Sequence, residues 1–123
     1  MAIPILKQGR VLIVSMQASM TDQDLVQLRD ELADRVGRFR SSGVVIDVSG
    51  LDVMDSFATR TLRGLAAVTR LRGAETVIVG IQPEVAIALV QLGLSLEGVA
   101  TALDLEEGLE LLAALREGRR SDG

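Results

Sequence analysis

The chain has 123 residues, 48% of them hydrophobic, and a formal net charge of −4. That suits one domain with a sizeable core, and it is the wrong sign for a general nucleic-acid binder, which carries a basic surface. It contains no His, Cys, Trp or Tyr, which removes thiol nucleophiles, soft metal ligands, imidazole bases and most base-stacking groups; an enzyme would have to work with carboxylates, hydroxyls and Lys7, the only lysine.

The apolar runs are strand-sized, well short of the ~20 residues that cross a bilayer. The opening Met1-Ala2-Ile3-Pro4-Ile5-Leu6-Lys7 lacks the basic start and long apolar stretch of a secretory signal. The expectation is a cytoplasmic protein with no membrane segment.

In chain order, residues 3–6 and 11–15 form two β-type runs around Lys7-Gln8-Gly9-Arg10, which predicts an antiparallel hairpin with Gly9 in the turn. Thr21 with Asp24 three positions on marks a helix start, and Leu25, Leu28, Leu32, Val36 and Phe39 recur at helical spacing, predicting an amphipathic first helix. Gly43-Val44-Val45-Ile46-Asp47-Val48 is a continuous β-branched run, the pattern of a central strand buried on both faces.

From Ser56 to about Arg72, Ala58, Leu62, Leu65, Ala66, Val68 and Leu71 make an apolar stripe that Gly73 would end. Residues 76–79 predict a fourth strand. Pro83 opens a short helix whose expected buried face is Val85, Ala88, Leu89 and Leu92, with Gly93 as its stop. A last strand is expected over 99–103. Asp104 with Glu107 then opens a helix carrying Leu105, Leu109, Leu112 and Leu115, and 117–123 reads as a polar, frayed tail after a single domain spanning 1–116.

The order ββαβαβαβα predicts an α/β fold: a mixed, mostly parallel sheet of about five strands with about four helices packed on it. Partners of such sheets meet the loops at the carboxyl ends of the strands, beside helix starts, which directs attention to residues 49–56.

These residues carry a family resemblance. Gly43-Val44-Val45-Ile46-Asp47-Val48, then Asp55-Ser56-Phe57, Gly80-Ile81-Gln82-Pro83 and Thr101-Ala102-Leu103-Asp104-Leu105-Glu106-Glu107-Gly108-Leu109-Glu110 together resemble a STAS domain, of the RsbS type found in bacterial stressosomes. The resemblance implies a non-enzymatic, anti-sigma-factor-antagonist-like protein of stress-response signal transduction. It implies that the chain holds an RsbT-type serine-threonine kinase in an assembly with RsbR-type STAS paralogues. Phosphorylation of Ser56 would release the kinase in a partner switch, and a PP2C-type phosphatase of the RsbX kind would reset it. The expected partner-contact surface is Asp52, Asp55, Ser56, Phe57, Thr59, Arg60 and Arg63. No cofactor or metal is expected, and a homodimer or larger assembly is.

Physics makes Ser56 a plausible switch apart from the family. At a helix start the dipole would favour a phosphate by ~0.3–1 kcal/mol. Repulsion from Asp55 and Asp52 would oppose it by about 2–3 kcal/mol before screening, taking ~6 Å and an effective dielectric of ~40. Arg60, at i+4, offsets part of that, and Arg63 lies farther along the same helix. The fold survives and the surface changes.

Each feature also has a plainer role: Ser56 as an N-cap, Asp52 and Asp55 as turn residues rather than magnesium ligands, Arg60, Arg63 and Arg70 as a solvated face. Two other classes compete. A receiver-like phosphorelay domain would use Asp47, but it needs an acidic pair where the chain has Ser15-Met16-Gln17 and a lysine where it has Ala100-Thr101-Ala102. A small-ligand-binding α/β module would need a phosphate loop or nucleophile elbow, and neither motif is present.

Overall fold

The computed structural model describes residues 4–96 and 98–122. Strands β1 (Ile5–Gln8), β2 (Val11–Gln17), β3 (Gly43–Gly50), β4 (Glu75–Val79) and β5 (Ala100–Ala102) form one sheet in the order β1-β2-β3-β4-β5. β1 pairs antiparallel with β2, and every other pair is parallel. Helices α1 (Asp22–Phe39), α2 (Ser56–Leu71), α3 (Pro83–Gln91) and α4 (Leu105–Asp122) complete the α/β fold.

Because spatial order follows chain order, successive crossovers of one hand place their helices on the same face. The burial pattern agrees. Leu12, Val14, Met16, Val44, Ile46, Val48 and Ile78 pack in one cluster with residues of α1, α2 and α3. Ile13, Val45, Val77 and Val79 pack on the opposite face with Leu112 of α4. β3 thus alternates between two cores, which is why its sequence is apolar without interruption. Gly108 lets α4 lie close against the sheet, since a Cβ there would come within 2.7 Å of Val79 Cγ1.

Several boundaries differ from expectation. The hairpin turn is only Gly9-Arg10, so Lys7 and Gln8 belong to β1; glycine at the first position of a two-residue turn, here at φ 60°, is a favoured hairpin closure. Ile3 lies outside the described residues. β2 and β3 each run two residues beyond the expected ends, β5 is confined to three residues, and α4 continues through the polar segment to Asp122.

Three helical stripes also lose members. Leu71 is 87% exposed, because thirteen residues beyond Ala58 is roughly 220° around the helix. The inward place in that turn belongs to Thr69, whose hydroxyl meets that of Thr76 at 2.8 Å. Leu92 lies past the end of α3 as its C-cap, and both Leu92 and Ala88 are exposed. Phe39, the last residue of α1, is 42% exposed. Its ring lies 5.3 Å from both Lys7 Nζ and the Arg38 guanidinium carbon.

Candidate functional site

The loops at the carboxyl ends of β2, β3 and β4 converge beside the start of α2. Asp55 is the N-cap of that helix, in extended conformation, and its carboxylate accepts from the Ala58 N–H at 2.8 Å. The first residue of the helix proper is therefore Ser56. Capping is done by the preceding carboxylate, and the Ser56 side chain is exposed. The plainer reading of Ser56 as the cap is thereby replaced: cap and serine are neighbours with separate tasks.

The other expected contact residues divide. Asp52, Asp55, Arg60 and Arg63 are exposed and Phe57 is half-buried against the core. Thr59 is 1% exposed, and its hydroxyl donates to the Asp55 carbonyl at 2.9 Å, so it braces the first turn from inside and stands apart from the outward set. No ion pair engages Arg60 or Arg63 among the described residues.

Sequence reasoning took Gln82 only as part of the Gly80-Ile81-Gln82-Pro83 resemblance and gave it no place in the site. Its Nε2 donates to the Ser49 carbonyl at 2.8 Å and to Asp52 Oδ1 at 3.3 Å, tying the start of α3 to the loop that carries Asp52. The only signal was its place, an amide just before the helix-opening Pro83 at the end of a parallel strand. Gly80, at φ 77°, allows that loop to come close, since a Cβ there would lie 3.0 Å from Asp47 Oδ1 and Ser49 Cβ. Asp47 is occupied locally, accepting from the Ser49 N–H at 2.9 Å.

A cleft of about 380 Å³ lies between the loops after β2 and β3. Met16, Met20, Leu25, Leu51, Val53 and Ala58 supply apolar lining, and Asp22, Asp52 and Asp55 supply carboxylates. Among the described residues no group of three or more potential ligands comes together to hold a metal. The sequential sheet has no point where strand order reverses, unlike the 2-1-3-4-5 order of receiver-type folds whose crevice opens at such a point. No helix among the described residues is long and apolar enough to cross a membrane.

The STAS-domain profile matches residues 2–108. The chain belongs to the STAS family. Within it, the fold is similar to that of an RsbS variant with a serine replaced by glutamate from Moorella thermoacetica, at 39% identity and a TM-score of 0.80, covering 94% of this chain and 97% of that one. It is also similar to a chain from the molecular architecture of the stressosome, described as a signal integration and transduction hub, at 41% identity and a TM-score of 0.77, covering 92% and 98%. By sequence the STAS domain is 32% identical over 84 residues to the RsbT co-antagonist protein RsbRA of Bacillus subtilis, covering 68% of this chain and 31% of that protein. The chain thus spans about a third of the length of that relative.

Proposed function

We propose that this STAS protein is a non-enzymatic regulatory scaffold of a stressosome-type assembly in the cytoplasm, which binds an RsbT-type serine-threonine kinase and releases it when Ser56 is phosphorylated. RsbR-type STAS proteins are its companions in the assembly, and a PP2C-type phosphatase of the RsbX kind removes the phosphate. The observation that carries this reading is the exposed Ser56 hydroxyl at the first position of α2, relieved of capping by Asp55, in a chain similar to RsbS along almost its whole length.

The chemistry follows from position. A phosphate on Ser56 brings roughly −1.5 to −2 charges and three acceptor oxygens to a surface that already carries Asp52 and Asp55. Arg60, one turn along, is placed to screen part of that charge. A partner packed over the neutral hydroxyl must then desolvate a near-dianion, and each ~1.4 kcal/mol of that cost weakens binding tenfold. The switch acts on the docking surface while the fold stays intact.

Incubation with the kinase and ATP is expected to add one phosphate, located at Ser56 by peptide mass analysis. Ser56→Ala should take up none and keep the kinase bound. Full modification of Ser56→Ala would remove the serine from the mechanism.

A further inference from the structure

The amino ends of the parallel strands carry a set of groups that the Ser56 surface does not use. There the loop Arg40-Ser41-Ser42, between α1 and β3, is held against the start of β2. The Ser42 and Gly43 N–H groups donate to the Arg10 carbonyl at 2.7 and 3.3 Å, and Arg10 Nη2 donates to the Arg40 carbonyl at 3.2 Å. Arg116 of α4 donates from Nη1 to Ser42 Oγ at 3.4 Å. The Arg72 guanidinium lies against Gly37, about one helical turn before the loop. Arginines from four separate parts of the chain thus meet at one loop, and all of them are exposed.

The charge there is unbalanced. The chain has 17 acidic against 13 basic residues, so carboxylates are in excess, yet among the described residues Arg10, Arg40, Arg72 and Arg116 are in no ion pair. Asp34 is bonded to Arg38 and Glu75 to Arg70 instead. Like charges gathered in this way repel one another. Arg40 also takes a strained backbone, at φ 49°, the one non-glycine residue with positive φ among those described. The loop is one hydrogen bond short as well: Ser41 is 4% exposed, and its Oγ has no partner among the described residues, although buried hydroxyls are nearly always bonded. The plainer task for these cations, balancing the carboxyl-terminal dipoles of α1 and α2, already falls to Arg38 and Arg70 in the last turns of those helices.

A guanidinium engages phosphate or carboxylate oxygens two at a time. Several of them around a three-residue loop call for a compact anion of high charge, which a peptide, with its carboxylates spread along ~3.5 Å per residue, does not supply. Nothing at this end is free to read a base, since the Phe39 ring is engaged by Lys7 Nζ and by the Arg38 guanidinium carbon, each 5.3 Å away. We infer that the Arg40-Ser41-Ser42 loop binds a linear oligophosphate, whose oxygens are held by Arg10, Arg40, Arg72 and Arg116. The site lies at the opposite end of the sheet from Ser56, so it can be filled whatever the state of that residue.

Isothermal titration calorimetry of the full chain with sodium tripolyphosphate, without magnesium, tests the site. A single tripolyphosphate should bind, at least roughly tenfold more tightly at about 50 than at about 500 mM salt, and orthophosphate should bind at least about tenfold more weakly. ATP and GTP should bind alike and no tighter than tripolyphosphate. Arg40→Gly removes a guanidinium and suits the left-handed backbone, and Arg116→Ala lies at an exposed helix position. Each, confirmed folded by circular dichroism, should weaken binding about tenfold, whereas Arg29→Gln, which removes an arginine paired on α1, should leave it unchanged. No binding of tripolyphosphate at about 1 mM, parental affinity in both loop variants, or equal weakening by Arg29→Gln would each overturn the proposal. A nucleotide or a single-stranded oligonucleotide bound at least about tenfold more tightly than tripolyphosphate would overturn the choice of ligand.

Discussion

The starts of α1 and α2 use similar residues for different ends. In α1 the hydroxyl residue is the cap: Thr21 Oγ1 accepts from the Asp24 N–H at 3.2 Å, and Asp24 Oδ2 accepts from the Thr21 N–H at 2.9 Å. Both side chains are committed, and the helix start is closed. In α2 the carboxylate of Asp55 is the cap, Thr59 turns inward to the Asp55 carbonyl, and Ser56 is left facing out. The second helix keeps a hydroxyl in reserve where the first has none. The difference teaches that a serine near a helix start must be judged by which neighbour does the capping.

Four measurements sharpen or break this contrast. The largest effect is expected from Asp55→Ala, which should lower stability to denaturant by about 1–2 kcal/mol through loss of a charged cap; an unchanged midpoint would mean that Asp55 does not close the helix. Thr21→Ala should cost about 1 kcal/mol, measured the same way. Ser56→Ala should stay within about 0.5 kcal/mol of the parent, and a loss as large as that of Thr21→Ala would return Ser56 to a structural role.

The smallest effect concerns acid. The Thr21 backbone N–H holds the Asp24 carboxyl below its ordinary range, with desolvation opposing it. A depressed pKa in the folded state gives stability that is complete above the unfolded value and fades as pH falls through the folded one. The difference in denaturation midpoint between the parent and Asp24→Asn should therefore shrink below about pH 4. A difference that persists undiminished to about pH 2 would show that the carboxylate charge plays no part.

Much of the fold could be read from the residues because local signals and burial agreed: the β-branched run of β3, the Thr21 and Asp55-Ser56 helix starts, and the Leu25, Leu28, Leu32 and Val36 stripe all fall where the periodicity puts them. Two of the errors come from where a helix ends and one from which side of a helix a residue takes. Phe39 sits at the last residue of its helix and Leu92 one residue past the end of its own, while Leu71 was assigned to the wrong side of its helix. The site shows the same limit. Ser56 and its acidic neighbours are contiguous in sequence, whereas the Gln82 link to Ser49 joins residues 33 apart and depends on β3 and β4 lying side by side. Thr59 was placed outward because its distance from Ser56 says nothing of the carbonyl behind it.

The sheet whose spatial order is its chain order has a consequence for how the molecule comes into being. Each strand pairs with the strand made just before it, so no pairing skips over an intervening strand, although each parallel pair still waits for a helical crossover to close. During synthesis the first face can be covered step by step as α1, α2 and α3 emerge. The second face stays bare until α4 arrives to cover Val45, Val77 and Val79, so the sheet of this domain is sealed on both sides only when α4 docks.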